Sequence, residues 1–151
     1  MRRLLVTITM ILGFLCAHAQ GNSLFEHLAA GDRIEFSFSS DLISGTLCAE
    51  GESYLIQAED YTVACDGTVR LTLDKSSKEA VYENVSGQNP VKMYSDKISV
   101  LSQGQDSMDL QILLEEDTPV RFFVTGITIK KPEGTIALPQ LPRDYVVTDL
   151  R

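Results

Sequence analysis

Downstream of Asp32 the chain alternates apolar and polar residues with the period of a pleated strand. Ile34, Phe36 and Phe38 fall to one side and Arg33, Glu35 and Ser37 to the other, the pattern of a half-buried β-strand. The densest alternation covers residues 43–85. Leu47 and Ala49 alternate with Thr46 and Cys48; Tyr54, Ile56 and Ala58 alternate with Ser53, Leu55 and Gln57. Tyr61, Val63 and Cys65 follow, and then Val69, Leu71 and Leu73 alternate with Thr68, Arg70 and Thr72. Glu50-Gly51, Glu59-Asp60, Asp66-Gly67 and Asp74-Lys75-Ser76-Ser77 separate these runs, so they read as antiparallel hairpins. Asp-Gly is a strong hairpin signal because the tight turn requires positive φ. Each run has one large-apolar face and one small or polar face, as in a sheet wetted on one side.

Two stretches carry helical spacing instead. In residues 22–31, Asn22 or Ser23 can cap, Glu26 can complete a capping box and Gly31 can end a short amphipathic helix. Leu24, Phe25 and Leu28 share its apolar face. In residues 89–104, Asn89-Pro90 reads as a cap followed by proline in the first turn. Val91, Tyr94, Ile98 and Leu101 then recur three and four apart, which predicts a helix up to Gly104, with a strand beginning at Ile98 as the alternative. Strands resume at Leu110, Ile112 and Leu114 and again over 120–129, where Gly126 marks a bulge or bend. Pro132, Pro139 and Pro142 make residues 130–142 a wrapping loop, and residues 145–150 form a last strand. The expected fold is mainly β: a curved antiparallel sheet or incomplete β-barrel, with one or two short helices on one face as a lid.

Arg2-Arg3 precede an uncharged apolar run and then Ala17-His18-Ala19, the make-up of a secretory signal peptide cut after Ala19. The run is shorter than the ~20 apolar residues that span a bilayer. Residues 1–19 are therefore expected to be removed, leaving a single exported domain, residues 20–151, that is not an integral membrane protein. The whole chain has 13 basic and 21 acidic residues; without Arg2 and Arg3 the net charge goes from −8 to −10. An acidic domain with no basic cluster is a poor partner for nucleic acid or anionic lipid surfaces. Export permits disulfides, but Cys48 and Cys65 fall on alternate strands of a meander. Two strand spacings, ~9.6 Å, exceed the reach of a bridge, so free thiols are expected.

Nothing in the chain predicts catalysis. Nucleophile elbows and phosphate loops are absent, and no His/Cys/Asp/Glu set has metal-ligand spacing. His27 would be the one histidine of the mature chain, and Glu59-Asp60 and Glu115-Glu116-Asp117 read as solvated turns. The expectation is a binding protein, not an enzyme, with no metal or cofactor.

A set of short motifs gives this reading a direction. Gly45-Thr46-Leu47 and Tyr54-Leu55-Ile56 are followed by 65–74, CDGTVRLTLD, by Lys78-Glu79-Ala80, and by the terminal Val146-Val147-Thr148-Asp149-Leu150-Arg151. In order and spacing the chain resembles the LolA-like family of periplasmic carriers of outer-membrane lipoproteins, in its short Bacteroidetes-type version. The resemblance implies a half-barrel whose apolar hollow shields the acyl chains of a lipoprotein or other lipid. It also implies an inner-membrane release protein and an outer-membrane acceptor as partners, and a periplasmic location. The residues expected to line the hollow are Ile34, Phe36, Phe38, Leu47, Tyr54, Ile56, Val63 and Leu71, with Leu28, Tyr94 and Ile98 from the lid. The other reading is a structural or interaction module on the same fold with a filled core.

Overall fold

The computed structural model describes His27 and residues 30–86, 97–113 and 118–151. Among them lie ten strands: β1 (Arg33–Ser39), β2 (Ser44–Glu50), β3 (Ser53–Ala58), β4 (Tyr61–Cys65), β5 (Val69–Asp74), β6 (Glu79–Asn84), β7 (Ile98–Gln103), β8 (Met108–Leu113), β9 (Pro119–Lys130) and β10 (Val146–Leu150). They form one open sheet in the order β10-β6-β5-β4-β3-β2-β1-β9-β8-β7. The fold is mainly β, a curved sheet that does not close. Two meanders build it, β1 to β6 and β7 to β9, and they join where β9 pairs antiparallel with β1.

Local chemistry sets the turns. Ser40 Oγ accepts hydrogen bonds from the N–H groups of Leu42 and Ile43, 3.1 Å each, between β1 and β2. Asp66 Oδ1 accepts from Thr68 and Val69 at 2.9 and 2.8 Å, and Gly67 supplies the left-handed residue at φ +99°. Asp74 Oδ1 does the same for Ser76 and Ser77 at 2.9 and 3.0 Å. An aspartate that bonds the backbone two and three residues on turns the chain without help from the core. At Gly126 the expected irregularity is present. Between the pairs Glu35↔Thr128 and Ser37↔Thr125, β9 carries one residue more than β1, and Gly126 sits in that bulge at φ +65°. A bulge raises local twist and bends the strand, which lets this long strand follow a curved sheet.

Two expectations are corrected. The sheet is not wholly antiparallel, because β10 pairs parallel with β6, Val146↔Glu79 through Leu150↔Glu83. The cause is the loop that follows β9. It leaves the end of the sheet that holds Arg33 and Glu50, crosses one face, and reaches Lys78 at the opposite end, where Val146 N–H donates to the Lys78 carbonyl at 2.8 Å. A crossover of a dozen or more residues is what a parallel pairing needs. The second correction concerns the helix expected over 89–104: Ile98–Gln103 is a strand. Ile98 and Val100 face Ile112 and Leu110, and a register shift between Val100 and Ser102 leaves Leu101 unpaired and 50% exposed. The three-residue spacing of Ile98 and Leu101 therefore comes from a bulge. Tyr94 and residues 89–96, the leader, and the helix expected over 22–31 apart from its His27 and last residues (with Leu28 among those left out) lie outside the described residues.

Candidate functional site

Residues paired across adjacent strands share a face, so the registers show what each face carries. One ladder runs Phe36–Leu47–Ile56–Val63 across β1 to β4, and the next runs Ile34–Ala49–Tyr54–Cys65. On the other side of β1, Phe38 pairs with Val124, Val124 with Met108, Phe122 with Leu110, and Ile112 with Ile98. All of these belong to one apolar cluster, which extends over seven strands from β4 to β7. Of the expected lining residues, Ile34, Phe36, Phe38, Leu47, Tyr54, Ile56, Val63 and Ile98 are brought together in it. Each is at most 7% exposed. Sequence reasoning did not assign Met108, Leu110, Ile112, Phe122 and Val124 to this surface. Their alternation was readable, but only the β9–β1 pairing puts them on the same side as Phe36.

Leu71 is elsewhere. Its partner on β4 is Ala64, whereas Val63 faces Thr72. The apolar side therefore changes from one face of the sheet to the other between β4 and β5. Leu71, Leu73 and Ala80 form a second cluster on the reverse face, flanked by Tyr82 of β6 and covered by Leu138, Leu141 and Tyr145. The cover is the crossing loop. It is pinned at its start, where Glu50 accepts hydrogen bonds from the N–H groups of Glu133 (3.0 Å) and Gly134 (2.7 Å) and from Arg33 Nε (2.8 Å). Ile136 N–H donates to Ser53 Oγ at 2.9 Å, and Lys78 pairs with Asp144 at 2.6 Å near its end. The bond from Glu133 N–H, with those from Gly134 and Arg33, holds the Glu50 carboxyl below its usual range against the opposing effect of burial.

Where the apolar face reaches β5 it becomes polar. Arg70 donates through Nε and Nη2 to Glu83 Oε2, at 3.1 and 2.8 Å. The Tyr54 hydroxyl lies against Arg70 and Cys65; burial pushes the Tyr54 phenol and the Cys65 thiol upward. Thr72 is 4% exposed, and its Oγ1 has no hydrogen-bond partner among the described residues. A buried hydroxyl left unpaired costs of order 1–3 kcal/mol, so Thr72 stands out among the buried side chains of the described residues.

Cys48 and Cys65 are free, as expected, and for a stricter reason than distance. Cys48 pairs with Leu55 and Cys65 with Tyr54, which puts the two thiols on opposite faces. His27 lies at the surface, its Nδ1 2.6 Å from Asp32 Oδ2. A polar depression of about 380 Å³ sits at the end of the sheet between Gly31, the Glu50–Ser53 turn, Asp66–Thr68 and Thr135. No group of three or more His, Cys, Asp or Glu residues among the described residues is arranged to hold a metal ion, and no helix among them is long and apolar enough to cross a membrane. No family model matches the chain, and neither does any curated protein. The likeness to lipoprotein carriers rests on the motifs quoted above.

Proposed function

We propose that the exported domain is a periplasmic carrier or binder of acyl chains, those of lipoproteins or of other lipids, which it shields against the apolar face of β7 to β4. The observation that supports this is the extent of that face. Its ladders from Phe122 and Val124 through Phe38, Phe36, Leu47 and Ile56 to Val63 are all apolar. Holding a hydrocarbon tail in water costs ~0.8 kcal/mol per CH₂, roughly 12 kcal/mol for a sixteen-carbon chain. A wall of this kind, curved and open at both sheet edges, can replace that water and still let the tail leave. With Ile34, Ile56 and Val63 at most 1% exposed, loading requires the face to open.

The same burial favours a second reading, a non-transporting interaction module with a filled core. Uptake separates the two. As a carrier, the purified mature protein takes up a fluorescent fatty-acid probe saturably, and Phe36→Asp abolishes uptake. Folded wild-type protein that takes up no probe would establish the filled-core reading instead.

A further inference from the structure

The polar border at β5 carries an inference that rests on the acyl-chain reading and deepens it. In the ladder Phe36–Leu47–Ile56–Val63–Thr72, the first four positions are apolar and the fifth is a hydroxyl. Beside it, the ladder Ile34–Ala49–Tyr54–Cys65–Arg70 ends in a guanidinium. A tail lying along the apolar ladders would bring its polar end to Thr72 and Arg70. We propose that Thr72 Oγ1 is the anchor for that end, donating a hydrogen bond to a neutral carbonyl.

Three observations carry this. The Thr72 hydroxyl is buried and has no partner among the described residues, so a ligand acceptor would satisfy a group that they leave unsatisfied. Arg70 is engaged by Glu83 and Tyr54, which fixes the guanidinium at the end of the adjacent ladder and leaves Thr72 as the unpaired donor of this border among the described residues. The charges on this side of β5 and β6 decide the ligand's chemistry. Arg70 pairs across with Glu83 and Asp74 with Glu79, so acidic groups outnumber the one cation. A carboxylate would meet like charge there, whereas an ester or amide carbonyl would not. The site is therefore matched to esterified or amide-linked acyl chains over free fatty-acid anions.

The test compares three twelve-carbon ligands for displacement of a fluorescent acyl probe from mature protein at pH 8: monododecanoylglycerol, its ether analogue lacking the carbonyl, and dodecanoate. Wild-type protein is expected to bind the ester roughly tenfold more tightly than the ether, the worth of one well-made hydrogen bond, and more tightly than dodecanoate. Thr72→Val should erase the ester-over-ether preference while still binding the ether. It should melt no lower than wild type, because it removes an unpaired buried hydroxyl. Thr72→Ser should keep the preference. A preference that survives Thr72→Val, an equal weakening of ester and ether, or no preference in wild type overturns the proposal. Folded wild-type protein that binds none of the three would refute the acyl-chain reading itself.

Discussion

Leu71→Ala tests the change of face between β4 and β5. Leu71 is fully buried, but in the small reverse-face cluster beneath Leu138, Leu141 and Tyr145. The substitution removes three carbons from a water-free site, about 2.5 kcal/mol at ~0.8 kcal/mol per group. Cavity terms raise such losses to as much as about 5 kcal/mol where surroundings are rigid. Here the cover is a loop that can settle inward, which places the loss near the lower figure, about 2–3 kcal/mol. For a domain of this length that lowers Tm by roughly 8 °C. The more telling readout is where the protein loosens. Hydrogen exchange should quicken in residues 131–150 and in β6, while the amides of β1, β2 and β3 keep their protection. Acyl-probe uptake should be unchanged. If Leu71→Ala instead opened the β1–β3 amides and weakened probe uptake, Leu71 would belong to the main apolar face and the argument from register would be wrong.

Two further predictions concern charge and thiols. The Glu50 carboxyl is held below its usual range mainly by Glu133 N–H, so its contribution to stability is fully present above the unfolded-state value near 4.5 and is lost as pH falls through the lower folded value. Glu50→Gln should flatten that acid limb in a series of melts from pH 7 to pH 3, and a limb left as steep as wild type would refute the role given to the carboxylate. In protein made as residues 20–151, non-reducing mass analysis should find two free thiols. Cys48, half-buried, should react slowly with a maleimide, and Cys65, 2% exposed, only after unfolding. A bridged species would contradict the opposite-face assignment.

Much of the sheet was legible because local signals agreed with one another. In β1 to β5 the alternation and the Asp-Gly and Asp-x-Ser turns point to the same hairpins, and all of them form. Gly126 announced its bulge for the same reason, since a glycine inside a strand has few other uses. Legibility failed where the answer depends on distant partners. Ile98 and Leu101 fit a helical spacing as well as a bulged strand, and only pairing with Leu110 and Ile112 decides between them. The terminal run was visible as a strand, but its direction depends on which way residues 131–145 cross the sheet. Leu71 was misplaced for a subtler reason. The apolar residues of β4 and of β5 each alternate cleanly, but register, which no single strand encodes, sets Val63 opposite Thr72. The border formed by Tyr54, Arg70, Thr72 and Glu83 was invisible for the same cause, since these residues come from three strands and meet only in the sheet.

The most direct test is a methyl-resolved NMR titration of residues 20–151 with an acyl ligand whose chain protons are observable. Contacts are expected from that chain to the methyl groups of Leu47, Ile56, Val63 and Leu110, with Leu71 and Leu73 silent. Contacts confined to Leu71 and Leu73, or a saturating ligand that touches none of these six methyl-bearing residues, would contradict that expectation.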